Sequence, residues 1–312
     1  MSAPQRAVVF AYHNVGVRGL SALLALGLEV PLVLTHEDDP RERVWFGSVR
    51  ELCGHHGIPF ITPADPNAAD VVAQVRTTDP DWIFSFYYRQ MLGADLLGVP
   101  RRGAYNLHGS LLPKYRGRVP VNWAVLRGER ETGASLHRME IKPDAGALVD
   151  QEAVAILPND TAHAVFQKVT CAAETMLLRA VPRMLAGTHR ETPLDLKAGS
   201  YFGGRKPEDG RIDWSRPAWE VHNLVRAVAP PYPGAFTDVA GRRLQFLGSY
   251  FRGEAAAGGA PRLYWERGRC HADCADGLRI LITRLASDGA DLDREAFSTL
   301  LGSDNIPLST FT

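Results

Sequence analysis

The stretch Asn106-Leu107-His108 holds the residue types in this chain best suited to chemistry. It opens the run Asn-Leu-His-Gly-Ser-Leu-Leu-Pro-Lys-Tyr-Arg-Gly and follows Gly-Ala-Tyr, which reads as the end of a buried strand. Side chains two apart on a strand point to one side, so Asn106 and His108 should enter one space. An amide beside a titratable imidazole can stabilise an oxyanion and move a proton. A carboxylate stands in the turn Lys142-Pro143-Asp144-Ala145-Gly146, at Asp144. Each group alone is ordinary, because Asn and Asp are frequent turn residues and a lone His is usually packed or solvated. Their joint occurrence with the loop Ser110-Leu111-Leu112-Pro113 gives them weight. In that loop Ser110 reads as a group that fixes backbone rather than a nucleophile. Leu112-Pro113 is a candidate cis bond, since X-Pro bonds tolerate that isomer best.

The elements that must position these groups follow from the hydrophobic pattern. Residues 6–12 read as a buried strand, 14–27 as a helix with Leu20, Leu23, Leu24 and Leu26 on its apolar face, and 29–35 as a second strand. Asp38-Asp39-Pro40 resembles a helix start that 44–56 continues. Further strands are expected at 58–61, 82–86 and 104–107. This alternation predicts an α/β fold, a Rossmann-like and mostly parallel sheet covered on both faces. Ligands of such sheets sit beyond the carboxyl ends of the strands. Tyr87, Tyr88 and Arg89 follow the fourth strand and His108 ends the fifth, so both ends should face one crevice. His13-Asn14-Val15-Gly16 follows the first strand in place of Gly-x-Gly-x-x-Gly, so a dinucleotide pyrophosphate site is not supported.

Beyond the loop, 121–126 reads as a short helix, 135–139 and 147–156 as strands, and Asn159-Asp160-Thr161 as the cap of a long helix reaching about 185. The polar, Gly- and Pro-containing stretch 187–213 marks a boundary between a catalytic domain, 1–205, and a second domain, 206–312. After a helix at 216–228, short strand-like runs at 235–239, 243–251, 261–266 and 278–285 predict a small OB-like β barrel. Residues 253–260 read as a flexible loop.

Composition narrows the function classes. The 312 residues are 45% apolar and 22% charged, as in ordinary soluble domains. No apolar run is long enough to cross a bilayer, and the N-terminus passes into a strand without a secretory leader. Four cysteines in such a length make a disulfide framework unexpected, so the cytoplasm is the expected compartment. Net charge is zero, and from Lys206 onward thirteen Lys/Arg face fourteen Asp/Glu. A nucleic-acid partner asks for a cationic excess, so none is expected. Cys270-His271-Ala272-Asp273-Cys274 supplies one metal-like cluster where zinc sites usually need two, so no metal is expected and a loop with two free thiols is the reading.

Asn106-Leu107-His108, Ser110-Leu111-Leu112-Pro113, Arg116-Gly117 and Asp144-Ala145-Gly146 together resemble the signature of folate-dependent formyltransferases. The resemblance implies Asn106, His108 and Asp144 as catalytic residues around a transferred formyl group. Val9 to His13, Thr35-His36, Phe46 to Val49, Phe84 to Arg89, Leu136 to Met139, Val225 to Val228 and Pro233 to Phe236 are most similar to the branch acting on UDP-4-amino-4-deoxy-L-arabinose. That likeness runs from about residue 6 to 285 and leaves the last 25 or so residues without a counterpart. It implies a UDP-linked amino sugar as acceptor, 10-formyltetrahydrofolate as donor, and a place in lipid A modification and antibiotic resistance. In many relatives this module is fused to a decarboxylase domain, so a stand-alone transferase is expected here.

The resemblance also implies a folate slot built by Gln90, Met91 and Leu92 and by Glu140, Ile141, Lys142, Pro143 and Asp144, with Arg118 on the folate or the donor phosphate. Met91 and Leu92 read equally well as plain core residues. Tyr87, Tyr88 and Arg89 are expected to serve the sugar nucleotide, and Arg226 to close the cleft from the second domain. Chemically, a primary amine attacks the formyl carbon, Asn106 donates to the developing oxyanion (a contribution of ~3 kcal/mol for a well-placed donor), and His108 moves the proton. Asp144 is expected to orient His108 and favour its protonated form. Three other readings remain at this level: methionyl-tRNA formylation, hydrolysis of the formyl donor, and a non-catalytic nucleotide-binding module. Where the tRNA enzymes carry a basic insertion, this chain has His36-Glu37-Asp38-Asp39-Pro40-Arg41-Glu42-Arg43. The oligomeric state is not legible.

Overall fold

A computed structural model describes residues 4–40, 44–256 and 258–308. Two compact units emerge: one gathers Met1–Pro120, Thr132–Val154 and Gln167–Gly203, the other Val121–Glu131, Ala155–Phe166 and Gly204–Thr312. The chain thus visits the second unit twice, at 121–131 and 155–166, before entering it for good.

The first unit is built on a seven-stranded sheet. Its strands are β1 (Arg6–Ala11), β2 (Glu29–Leu34), β3 (Phe60–Ile61), β4 (Trp82–Phe86) and β5 (Gly103–His108), followed after the short β6 (Arg116–Gly117) by β7 (Glu131–Arg138) and β8 (Leu148–Ala155). Their order is β3-β2-β1-β4-β5-β7-β8. The first five pair in parallel, whereas β7 runs antiparallel to β5. Val8, Val9, Phe10, Ile83, Phe84 and Phe86 are buried, the unbroken apolar pattern of strands covered on both faces. Helices α1 (His13–Ala25), α2 (Val49–His56), α3 (Ala69–Thr77) and the four-residue α4 (Ala94–Leu97) follow successive strands.

Two local expectations are corrected. The helix expected from Asp38 begins only at Val49, where the Ser48 hydroxyl accepts from Glu51 N–H. Gly47 N–H instead donates to Asn14 and Phe46 stacks on His13, which holds the preceding segment against α1; Arg41, Glu42 and Arg43 lie outside the described residues. Helix α3 was not anticipated, although Val71, Val72 and Val75 bury one face of it.

Short helix α5 (Pro120–Leu126) leads into the second unit, and α6 (Ala162–Leu185) leads back, with the Thr161 hydroxyl accepting from Ala164 N–H at its start. The two-residue β9 (Tyr201–Phe202) then pairs with β6. The second unit carries α7 (Ala218–Val228) and the strands β10 (Ala235–Val239), β11 (Arg242–Ala255), β12 (Arg262–Glu266), β13 (Arg269–Asp273), β14 (Leu278–Ser287), β15 (Ala290–Asp291) and β16 (Asn305–Pro307), with α8 (Arg294–Leu301) before the last. They form an antiparallel sheet in the order β10-β11-β14-β13-β12-β16, with β15 beside β14. Among the described residues no pairing joins β10 to β16, so the expected barrel is a curled half-barrel.

Its core holds Trp214, Phe246, Leu263, Ile280 and Phe297. The Cys270 to Asp273 cluster, read from sequence as part of a loop, is strand β13. Alternation turns Cys270 and Ala272 into the core, and burial pushes the Cys270 and Cys274 thiols up to about 12. The last 25 or so residues supply the Asp293-capped α8, with Phe297 fully buried, and edge strand β16. The expected loop at 253–260 begins inside β11, which runs to Ala255; residue 257 lies outside the described residues. No helix of the described residues is long and apolar enough to cross a membrane.

Candidate active site

Strand β5 ends on Asn106 and His108, which share one face of the sheet. The antiparallel register with β7 sets His137 opposite Asn106 and Ser135 opposite His108. Four polar side chains therefore line one patch where sequence spacing shows only two. His137 Nδ1 lies 2.8 Å from its neighbour's carbonyl, at Arg138. Those partners assign the proton to Nδ1 and leave Nε2 as an acceptor. Asn106 Nδ2 lies 3.2 Å from that Nε2. One amide hydrogen of Asn106 is thus held by His137, and the second is left to point elsewhere.

Asp144 reaches the same patch from the turn after β7. Its backbone adopts φ of 50°, a left-handed conformation that Asp tolerates better than most residues. One carboxylate oxygen lies 3.5 Å from both His108 Nδ1 and His137 Nε2, and the other accepts from Gly117 N–H at 2.8 Å. Gly117 has φ of 95°, and a Cβ there would strike the Phe202 carbonyl, so glycine is required where this backbone donor meets the carboxylate. Burial by itself would raise the Asp144 pKa. The nearby His108 ring and the Gly117 N–H lead the effects that outweigh it and hold the carboxyl at about 2.

His108 is buried, with Nε2 at 2.8 Å from the Tyr115 carbonyl. Both ring nitrogens therefore face acceptors, which favours the imidazolium. Burial is the larger effect and lowers the pKa below the usual histidine value, with His137 adding to it. Asp144 favours the protonated form of His108, the direction expected of it, but desolvation is the larger effect.

The loop beneath is held by side chains. Ser110 Oγ donates to the Lys114 carbonyl, and Ser135 Oγ donates to the Ser110 carbonyl while accepting from Leu112 N–H. Gln151 donates to the Leu112 carbonyl. Ser110 is fully buried, so its part is structural. The Leu112-Pro113 bond is cis. Tyr115 stacks on Phe202, and the β6–β9 pairing carries the loop onward to Arg118, whose side chain is exposed.

Beyond the ends of β1, β2 and β4 lies an aromatic group. Tyr88 stacks on His36 at 4.1 Å, and the Arg89 guanidinium sits 4.7 Å over Tyr12. His13, stacked on Phe46 at 3.9 Å, packs edgewise on Trp45. His36 accepts from Arg89 N–H, and burial together with Arg89 lowers its pKa to about 4. A Cβ on Gly109 would strike the Tyr87 hydroxyl, which places Tyr87 directly over the His108 loop. Tyr87, Tyr88 and Arg89 are expected at the site from their place after the fourth strand, and His13, His36 and Phe46 belong to motifs of the family likeness; folding brings them together and adds Trp45.

The remaining expected residues divide. Gln90 donates to the Ala64 carbonyl and Met91 is half exposed, but Leu92 is buried in the core beside Val8 and Leu96. Leu92 is therefore a packing residue. Glu140, Ile141 and Lys142 are exposed, with Pro143 partly covered beside Asp144. Arg226 is corrected: it is 2% exposed within the second unit, bonded to Asn223 and to the Leu157, Asp160 and Val125 carbonyls beneath Trp219. Its donors are engaged inside that unit, which leaves it no reach to a ligand. Among the described residues no three His, Cys, Asp or Glu side chains group as metal ligands.

Residues 23–181 match the family described as formyl transferase, and residues 205–297 match the formyl transferase C-terminal domain. Among solved structures, the chain is similar to an N-formyltransferase from Helicobacter canadensis in complex with folinic acid and dTDP-3-aminofucose, at 19% identity, TM-score 0.71, and coverage of 89% of this chain and 98% of that one. It is also similar to WlaRD, a sugar 3N-formyl transferase solved in the presence of dTDP and 5-N-formyl-THF, at 18% identity, TM-score 0.70, and coverage of 92% and 99%. HypX from Aquifex aeolicus with tetrahydrofolic acid aligns at 18% identity and TM-score 0.65, over 96% of this chain and 47% of that longer one.

Proposed function

The chain belongs to the formyl transferase family, and from that premise we propose that it moves a formyl group from 10-formyltetrahydrofolate to the amine of a nucleotide-linked amino sugar. The observation that carries this reading is the meeting of Asn106, His108, His137 and Asp144 at the ends of β5 and β7. The donor class is supported by the folates in the similar structures, and the acceptor class by the dTDP-3-aminofucose of the Helicobacter canadensis enzyme. Among acceptors we favour UDP-4-amino-4-deoxy-L-arabinose, with a cytoplasmic role in lipid A modification and antibiotic resistance, on the motif likeness at Phe84 to Arg89 and Leu136 to Met139.

The chemistry follows from the groups. The amine attacks the formyl carbon, and its carbonyl oxygen becomes an oxyanion. Asn106, with one amide hydrogen held by His137, directs the other to that oxygen. A neutral His108 accepts the proton released by the attacking nitrogen. The Asp144 carboxylate, ionised well below neutral pH, stabilises the imidazolium so formed, and the Tyr115 carbonyl accepts from its other N–H. The same proton then passes to the departing folate nitrogen, which closes the proton balance. Gln90, Met91 and the segment Glu140 to Pro143 border the folate slot, and exposed Arg118 meets an anionic end of folate or nucleotide. Tyr87, Tyr88 and Arg89, backed by the aromatic group, take the nucleotide.

The test is a coupled assay with 10-formyltetrahydrofolate and a panel of UDP- and dTDP-linked amino sugars, read by the mass of one added formyl group. Formylation of the arabinose compound ahead of the others is expected. Formate release at the same rate with no amine present would replace transfer by hydrolysis.

A further inference from the structure

The solvent-side face of the half-barrel contains a second polar concavity, of about 380 Å³, that the reaction above does not use. Register aligns its floor. Tyr264 of β12 stands opposite His271 of β13, which stands opposite Leu281 of β14, which stands opposite Tyr250 of β11. A sheet face turned to solvent normally keeps its polar side chains wet, yet His271 is 7% exposed. Its Nδ1 is buried without any hydrogen-bond partner, a cost of ~1–3 kcal/mol when nothing supplies one.

The rim is cationic. Arg252, Arg267, Arg269 and Arg279 face the concavity against Glu254 and Glu266, two positive charges in excess. Arg279 is paired with both glutamates, and Arg252 approaches Glu254 only at 3.7 Å. The side chains of Arg267 and Arg269 form no ion pair or hydrogen bond among the described residues, and the two residues flank the tight turn between β12 and β13. Two guanidinium forks held beside a concave floor suit a tetrahedral oxyanion better than a point charge would. Tyr250, 42% exposed with Arg252 at 5.3 Å from its ring, offers a flat face at one margin.

We propose that this concavity binds a small phosphate-bearing anion of diphosphate size, held by Arg267 and Arg269 over His271. The chemistry is shared by free pyrophosphate and by a nucleoside diphosphate whose base would lie on Tyr250. The test titrates the full-length protein with inorganic pyrophosphate and, separately, with UDP, at moderate salt. Saturable pyrophosphate binding is expected, weakened about a hundredfold in the R267Q/R269Q double variant, at about tenfold for each lost charged contact. Formyl transfer by that variant should match the wild type. Glu266→Gln, which removes an anion and one of the two ion pairs of Arg279, should tighten binding about threefold. Loss of one of two UDP sites in the double variant would assign the ligand to nucleotides, and loss of pyrophosphate binding alone to the free anion; either supports the site. Equal binding by wild type and double variant, an absence of saturation in the millimolar range, or binding confined to long polyanions with steep salt dependence would overturn it.

Discussion

Two buried polar clusters, one in each unit, both contain asparagine and histidine and differ in how completely their bonds are closed. Around α7, His222 has Ser249 and the Pro158 carbonyl on its two nitrogens, and Arg226 meets Asn223 and three backbone carbonyls. Asn122 bonds the Ala227 carbonyl and accepts from Arg205. Apart from the Arg205 Nε, which is buried without a partner among the described residues, these groups are answered from within the unit. At the ends of β5 and β7, Asn106 is half-held by His137 and its amide oxygen has no partner among the described residues. His108 and Asp144 approach only to 3.5 Å. Closed polar networks rigidify a fold, whereas one with spare donors and a loosely paired imidazole retains capacity for a substrate.

The comparison breaks most readily at Asp144. Asp144→Asn should lower kcat by about a hundredfold or more with little change in KM, measured by steady-state kinetics; equal loss in KM with kcat intact would move Asp144 into binding. Asn106→Ala should cost a similar factor, about 3 kcal/mol of barrier, and a kcat unchanged in that variant would remove the oxyanion role. Arg226→Met probes the other side. Its unfolding free energy should drop by about 3 kcal/mol, because buried carbonyls lose their donors, while kcat per folded molecule stays at wild-type level; a kcat loss without destabilisation would reinstate Arg226 as a ligand residue.

Acid titration sharpens the contrast further. Burial, with Arg226 adding to it, holds His222 at about 4. Its folded pKa lies below the unfolded value, so the unfolded chain binds the proton first and stability falls as pH drops from about 6.5 toward 4. This group accounts for up to about 3 kcal/mol across that window, and denaturant unfolding of His222→Asn should show a shallower decline. Asp144 acts lower: its depressed pKa contributes stability above the unfolded carboxyl value that vanishes as pH falls toward 2. The smallest expected effect is at His137. His137→Phe frees the Asn106 amide to rotate and should lower kcat about tenfold, with KM nearly unchanged and the pKa of His108 moved upward.

Much of the first unit was legible because its strands hold short runs of apolar residues, as at Val8 to Phe10 and Trp82 to Phe84, and Asn106 and His108 fall two apart on one of them. His137 was not legible as a site residue. Its only local signal is alternation with Ser135 on β7, and its relation to Asn106 depends on a register between strands thirty-one residues apart. Arg226 misled for the opposite reason: an arginine near a motif looks like a ligand group until its surroundings are known, and three of its acceptors lie some seventy to one hundred residues away. Strand β13 was hidden because cysteine, histidine and aspartate suggest metal binding more strongly than they suggest a strand.

By itself the sequence determined the α/β class of the first unit, the antiparallel texture of the second, and the residue types available for acyl transfer, since each rests on local periodicity and composition. Tertiary structure alone decided which imidazole orients Asn106, which carboxylate oxygen meets His108, that desolvation outweighs that carboxylate in setting the charge of His108, and that Arg226 is sealed in a core. Pairing register, burial and the competition between desolvation and nearby charge are properties of segments brought together from a distance, and no local stretch of chain encodes them.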